Sequence, residues 1–119
     1  MPFEQHQEKT YTRDAQSIYQ AALKATDKLQ GKIISSAPET FRLTARFPKV
    51  ILGQTLGERT ELSCEVRGNG EGSIVVVDAF PLDAVERKLM FGARKGVTKT
   101  VVTWFIAHLE NNLGVPPGS

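Results

Sequence analysis

A segment near the C-terminus, residues 96–113 (GVTKTVVTWFIAHLENNL), constrains the fold more than any other part of the chain. It contains the only tryptophan and the densest run of large apolar residues. Val97, Val101, Phe105 and Leu109 recur at intervals of four, so nearly half of a helical surface is apolar. Polar residues at its edges are too frequent for a membrane span, and the GVPPGS sequence that follows supplies a helix stop. We therefore predict a closing helix that packs across a sheet.

The residues before this helix show two different apolar periods. Apolar residues at helical spacing predict an amphipathic helix over residues 14–30, and Gly31 is expected to adopt the left-handed conformation of a helix C-cap. Alternating apolar and polar residues predict strands, and a short extended segment precedes the first helix. The predicted strands are 32–37, 41–47, 61–67 and 73–80, and the extended segment is 9–12. Pro81 is expected to end the last strand.

This order of elements predicts an α+β fold of two layers. Antiparallel neighbours joined by short turns give a four- to five-stranded sheet, with both helices on one face. Residues 1–8 are polar and unpatterned, and we predict that they form a disordered N-terminus. Residues 9–113 are then a single domain, followed by a flexible tail over residues 114–119.

The predicted βαββββα order also resembles a known group of folds. With a second helix that follows Phe91-Gly92 and closes on TWFIAHLENNL, the chain is similar to TBP-like and helix-grip domains and to small uncharacterised bacterial domains of this length. The resemblance covers residues 9–113 and rests on topology and spacing. It implies either an apolar ligand between the sheet and the last helix, as helix-grip proteins often have, or DNA on the sheet, as in TBP-like domains. It carries no catalytic residue onto this chain.

Charge and aromatic placement argue against a nucleic-acid partner. The net charge of +2 is smaller than dedicated nucleic-acid binders usually have. Strand alternation also places Arg42 and Arg46 on the face opposite to Phe41 and Phe47, so that stacking on single-stranded bases is not expected.

The chain shows no sign of export and is predicted to be cytoplasmic. No run approaches the roughly 20 apolar residues of a spanning helix, and the first residues lack the pattern of a signal peptide. Cys64, the only cysteine, lies on the apolar side of a strand and is expected to be a buried thiol.

None of the common enzyme motifs that we considered matches the sequence. The glycines of residues 68–72 lack dinucleotide-binding spacing, residues 92–98 lack the pattern of a P-loop, and no G-x-S-x-G occurs. His6, His108 and Cys64 have no recognisable metal-ligand spacing. Asp78, within the most apolar strand, is expected to point to solvent. We predict a protein that is not an enzyme, with no catalytic residue, cofactor or metal.

Residues 47–58 (FPKVILGQTLGE) form the most unusual connection of the chain. They include five large apolar residues, whereas a hairpin loop is normally short and polar. Residues 50–52 either cap the open end of the core, form a lid over a ligand cavity, or form an exposed patch that meets a protein or a membrane. Gly53 and Gly57 would permit hinge motion in the lid or the exposed patch, but they equally permit a turn.

A basic run leads into the last helix. Between Glu86 and Lys99 there are five cations and one acid, although the positive end of a helix dipole normally attracts acids. Exposed backbone N–H groups together with Arg87, Lys88 and Lys99 are therefore a candidate anion-binding site. The alternative is a solvated basic face without a binding role.

These features give two hypotheses about function. The leading one is a non-catalytic domain that holds a small, partly apolar and anionic ligand between the sheet and the last helix. The ligand-binding residues predicted to line the pocket or bind the anionic group are Phe47, Ile51, Leu52, Phe91, Arg94 and Lys95. The alternative is an interaction module that contacts a protein partner, a second copy of the chain, nucleic acid or an anionic membrane through residues 47–58 and 87–99.

Overall fold

A computed structural model describes residues 4–68, 72–82 and 96–114, which form an antiparallel sheet with two helices packed on one face. The five strands of the main sheet are β1 (Gln5–Tyr11), β2 (Lys32–Ala37), β3 (Arg42–Phe47), β6 (Arg59–Gly68) and β7 (Ser73–Leu82). Two further strands, β4 (Val50–Ile51) and β5 (Gln54–Thr55), pair with each other in a separate two-stranded sheet. The helices are α1 (Ala15–Lys28) and α2 (Val97–Leu113), and the spatial strand order is β1-β7-β6-β3-β2. The predicted two-layer α+β fold is confirmed.

The core lies between the helices and the inner face of the sheet. Residues on β3, β6 and β7 alternate between buried and partly exposed, as the apolar period predicts. Cys64 is buried, and the loss of hydration raises the pKa of its thiol to about 12. Asp78 lies on the exposed face, as predicted.

The two helices run antiparallel across the sheet. Asp14 caps α1 by accepting a hydrogen bond from the Ser17 backbone N–H at 2.9 Å. The buried face of α1 includes the small residues Ala21, Ala22 and Ala25, which allow close approach. At the C-terminal end of α2, the Asn112 side-chain amide donates to the carbonyl oxygen of Ala21 at 3.1 Å. The C-terminal turn of α2 therefore lies beside the first half of α1.

A buried carboxylate joins α2 to the edge strand. The Tyr11 hydroxyl donates to Glu110 at 2.8 Å, and the Lys9 ammonium lies 3.6 Å from the same carboxylate. Burial raises the pKa of the Tyr11 phenol, and the hydrogen bond to Glu110 raises it further. These contacts fix the last turns of α2 over the end of β1.

Residues 5–8, which were predicted to belong to a disordered N-terminus, form part of a strand. β1 begins at Gln5, which lies opposite Ala79 of β7. Main-chain pairing to an open strand edge does not require apolar side chains, so a polar segment can complete the sheet. This is why the apolar pattern did not reveal the start of β1. Residues 115–119, most of the predicted tail, lie outside the described residues.

Two backbone predictions are wrong in detail. The left-handed residue after α1 is Gln30, at φ 65°, and not Gly31. Gly31 is required for space, because an added Cβ would lie 2.6 Å from the ring Cε1 of Phe47. Pro81 does not end β7, which continues to Leu82. The last residue of β7 that pairs with β1 is Ala79, so at Pro81 the strand pairs with β6 alone. Proline is tolerated at such an edge position because no hydrogen bond from its nitrogen is needed.

His6 should make the attachment of β1 dependent on pH. Its Nδ1 lies 2.5 Å from Asp78 Oδ1 and its Nε2 lies 2.9 Å from Glu8 Oε2. The contact with Asp78 first, and then that with Glu8, raises the pKa of His6 above its ordinary value of 6.5. The protonated imidazole therefore stabilises the folded state. This stabilisation is fully present below about pH 6.5, the unfolded-state pKa, and is lost as the pH rises through the higher folded-state pKa.

Urea denaturation of the wild type and of His6→Gln checks this expectation. The wild type should be more stable than the variant near pH 6, and the difference should shrink towards about pH 9. A difference of the same size at both pH values would contradict the role of the protonated imidazole.

Candidate ligand-binding site

One end of the domain contains residues 47–58, one of the two segments in which the sequence predicted a site. β3 ends there at Phe47 and β6 begins there at Arg59, while β7 ends at Leu82, opposite Arg59. The β4–β5 hairpin connects β3 to β6 and therefore lies at the same end. We call this region the hairpin end.

The β4–β5 hairpin places one side chain in the core and others in solvent. Ile51 is fully buried, as is Phe47 just before the hairpin, and Leu56 packs against the same cluster. In contrast, the side chains of Val50 and Leu52 are 46% and 50% exposed. The segment is thus partly a cap on the core and partly an exposed apolar surface, which combines two of the interpretations of its sequence.

The tip of the hairpin is a tight turn with an unusual residue. Leu52 and Gly53 have φ angles of 49° and 82°, the pair of positive values that two-residue hairpin turns favour. Glycine and asparagine adopt such angles readily, whereas leucine does so rarely. The backbone N–H of Leu52 donates to the side-chain oxygen of Gln30 at 3.0 Å, which ties the tip to the end of α1.

The N-terminal half of α2 extends beyond α1 towards the hairpin end. His108 of α2 shares a surface cleft with Asp27, close to the end of α1. The residues of α2 that precede His108 span about 16 Å at 1.5 Å per residue. Because the helices are antiparallel, this length passes the end of α1, where Gln30 contacts the hairpin. The first turn of α2 therefore lies on the hairpin side of the molecule.

Two buried hydroxyl groups distinguish this region. Thr60 faces the core from the start of β6 and is fully buried, and Thr98 in the first turn of α2 is 5% exposed. Neither Oγ1 has a hydrogen-bond partner within residues 4–68, 72–82 and 96–114. In β6, Thr60 pairs with Phe47 on one side and Pro81 on the other. A buried hydroxyl without a partner costs about 1–3 kcal/mol, so these two groups call for an explanation.

The structure places the predicted site residues in different environments. Phe47 and Ile51 lie in the core, Leu52 lies at the hairpin tip, and Lys99 is exposed in the first turn of α2. The other predicted site residues lie outside the described part of the chain. These are Phe91, Arg94 and Lys95 of the ligand-binding set, with Arg87 and Lys88 of the anion-binding set.

The sequence analysis missed both Thr60 and Thr98. The alternation of Leu62, Cys64 and Val66, extended backwards by one step of two, places Thr60 on the core side. A helical projection of residues 96–113 likewise places Thr98 next to the apolar Val101 and Val102. The signal was therefore a hydroxyl residue on an otherwise apolar face.

Metal sites and membrane-spanning helices can be assessed for the described segments. Within them, no group of three or more His, Cys, Asp or Glu side chains is placed to hold a metal ion. Neither α1 nor α2 has both the length and the apolar content that a membrane span requires.

Comparison with solved structures identifies the fold as helix-grip-like. No protein-family model matches the chain, and no curated protein matches it in sequence. Ara h 8.0201 superposes with a TM-score of 0.66 at 11% sequence identity, covering 93% of this chain and 97% of that one. CalU16 from Micromonospora echinospora gives a TM-score of 0.60 at 13% identity, covering 97% of this chain and 77% of that one. At these identities the similarity shows the fold alone; it supports the helix-grip part of the resemblance, and the TBP-like part stays a prediction.

Proposed function

We propose that this chain is a non-catalytic protein that binds a small, partly apolar ligand between the sheet and α2 at the hairpin end. The observation that carries the proposal is the pair of buried Thr60 and Thr98 hydroxyls without partners in the described part of the chain. A ligand with a polar group inside an apolar body would supply the missing hydrogen bonds, as ligand sites commonly combine apolar walls with a few polar groups.

The surrounding residues suit such a ligand. Thr60 lies beside Phe47 on the inner face of the sheet, and the two share a cross-strand pair. Ile51 of the hairpin contributes to the same buried cluster. A ligand that reaches the two hydroxyls would therefore meet an apolar wall on the sheet side.

The start of α2 favours a negative charge on the ligand. Its first turn contains no acidic residue, and Gly96 before it provides no side-chain cap. The first backbone N–H groups of a helix have no partner within the helix, and they carry the positive end of its dipole. Lys99 adds a full positive charge next to Thr98. We propose that the ligand carries a carboxylate or a similar anionic group near this turn.

The β4–β5 hairpin is the proposed route of entry. Its two strands are only two residues long, and a hydrogen bond joins Leu52 at its tip to Gln30, which follows α1. Gly53 and Gly57 have φ angles of 82° and 93°, which a glycine tolerates without strain. Small rotations at these positions would lift Ile51 from the core and admit a ligand.

Titration with 1-anilinonaphthalene-8-sulfonate, an apolar anion, tests the proposal. We expect saturable binding to the folded protein, with energy transfer from Trp104, which packs against the core from α2. Thr60→Val and Thr98→Val should each weaken binding about two- to tenfold, the value of one hydrogen bond. Neither variant should be less stable than the wild type without probe, because valine removes an unpaired hydroxyl and keeps the shape.

Thr103→Val is the matched control. Thr103 lies on the exposed side of α2 and donates to the Lys99 carbonyl oxygen at 2.9 Å, away from the core. This variant should bind the probe like the wild type. The proposal fails if the two core variants bind the probe unchanged, or if all three lose affinity equally.

A further inference from the structure

The large hydrophobic side chains that are exposed in the described segments gather at one corner of the domain. Those identified are Ile33, Ile34, Val50 and Leu52, each between 41% and 50% exposed. Ile33 and Ile34 are the second and third residues of β2, shortly after Gln30, and the Gln30 side chain accepts a hydrogen bond from the backbone of Leu52 at the hairpin tip. We call these four residues the apolar corner.

Leu52 is costly at its position in two independent ways. Half of its side chain is exposed to water, so its apolar surface gains little from folding. Its φ angle of 49° also belongs to a region that leucine rarely adopts, whereas asparagine would fit this turn well. A residue unfavourable on both counts for the isolated fold indicates a role for its apolar side chain outside the fold.

Positive charge surrounds the apolar corner. Lys32 lies between the isoleucines and the end of α1, and Lys49 directly precedes Val50; both are exposed. Beside them, a cleft of about 260 Å³ is lined by Lys32, Arg46 and Arg59 together with Ile34 and Pro48. Among the described residues of these segments, the acids are Glu61, which accepts a hydrogen bond from Arg46 at 3.0 Å, and Glu58. The four cations outnumber these two acids.

The edge strand at the corner is poorly suited to pair with another strand. β2 has an irregular register between Ile33 and Ser35, so its edge is not a straight row of main-chain groups. A bulge and an exposed lysine such as Lys32 are features that protect an edge from strand addition. Sheet extension by a second copy is therefore disfavoured, and the apolar side chains are left to meet a different kind of surface.

We propose that the apolar corner docks on the surface of a lipid bilayer that contains anionic lipids. Leu52 and Val50 at the hairpin enter the interface between headgroups and acyl chains, with Ile33 and Ile34 beside them. Lys32 and Lys49 contact the negatively charged headgroups. Apolar side chains ringed by cations are the combination that binds such interfaces, since each part contributes a separate attraction.

Co-sedimentation with vesicles tests this inference. The protein should bind vesicles of phosphatidylcholine with phosphatidylserine, bind pure phosphatidylcholine much less, and lose binding as salt increases. Leu52→Asn should reduce the affinity for these vesicles about tenfold, because much of the apolar surface of the leucine side chain would no longer be buried in the bilayer. Because asparagine suits the turn, this variant should fold at least as well as the wild type.

A charge pair provides the matched control. Lys32→Glu should weaken binding to the anionic vesicles by about fivefold or more, as lysine near the surface attracts them. Lys24→Glu makes the same charge change on the exposed side of α1 and should have a much smaller effect. Three results would overturn the inference: no binding to anionic vesicles, equal losses in the two lysine variants, or a dimer of the wild type that Leu52→Asn dissociates.

Discussion

Replacing Phe47 with alanine is expected to lower the free energy of unfolding by about 3–5 kcal/mol. The ring is only 1% exposed and lies against Gly31, where an added Cβ would be 2.6 Å from the ring. Neighbours this close cannot collapse fully into the space that the ring leaves, so a cavity term adds to the lost hydrophobic burial. Urea denaturation of the variant measures the loss.

Leu52→Ala is the matched control for this variant. Both residues were predicted from the sequence to line or gate a pocket, yet the Leu52 side chain is half exposed. Its replacement should change the stability by no more than about 0.5 kcal/mol. If Phe47→Ala is as mild as Leu52→Ala, the ring is not part of the core and our description of the hairpin end is wrong.

Replacing Gly72 with alanine should destabilise the fold by about 2–3 kcal/mol, the upper part of the range for overpacking. A Cβ at this position would lie 2.1 Å from the carbonyl oxygen of Tyr11 and 3.1 Å from the Cα of Thr12. Both atoms belong to the main chain, so that no side-chain rotation can relieve the clash. The end of β1 would have to move away from Ser73, its partner in β7.

Gly68→Ala offers a control across the same hairpin connection. Gly68 pairs with Ser73 across the hairpin, and Gly72 directly precedes Ser73, so the two glycines lie at the same end of the sheet. A Cβ at Gly68, however, would have no neighbour within 4 Å. We expect a change within about 0.5 kcal/mol, or a slight gain from the stiffer unfolded chain. Thermal denaturation of the two variants checks the contrast. Equal losses would mean that the contact with Tyr11 does not limit the residue at position 72.

The main layers of the fold were predictable because their signals are local. Alternation along residues 41–47, 61–67 and 73–80 reports one buried face, and this face is the one that the helices cover. The first helix likewise begins with a local contact, in which Asp14 accepts a hydrogen bond from the backbone N–H of Ser17, three residues further on. Such patterns depend on neighbours in the chain and therefore need no knowledge of tertiary contacts.

Features that depend on long-range contacts were not predictable in the same way. β1 has polar side chains throughout its first residues and is defined by its pairing with β7, which is distant in sequence. The hairpin within residues 47–58 turns on a leucine at positive φ, so the usual turn signal of asparagine and glycine is missing. Gly31 serves a contact with Phe47 that no local pattern reveals.

The site residues proposed from the sequence stay a prediction, and the structure adds two hydroxyl groups that the sequence analysis did not consider. The sequence directed attention to residues 47–58 and to the start of the last helix, and both belong to the hairpin end. Phe47 and Ile51 belong to the core cluster. The groups without a hydrogen-bond partner in the described segments include the hydroxyls of Thr60 and Thr98. Apolar residues attract attention in a sequence, but whether a hydroxyl is satisfied depends on the packed structure around it.

The mass of the freshly purified protein under native conditions, compared with its mass after denaturation, tests the central proposal most directly. A bound ligand at the hairpin end predicts a reproducible excess of the size of a small molecule, which vanishes on denaturation and is reduced in the Thr60→Val/Thr98→Val double variant. A native mass equal to that of the chain alone, before and after incubation with excess 1-anilinonaphthalene-8-sulfonate, would contradict it.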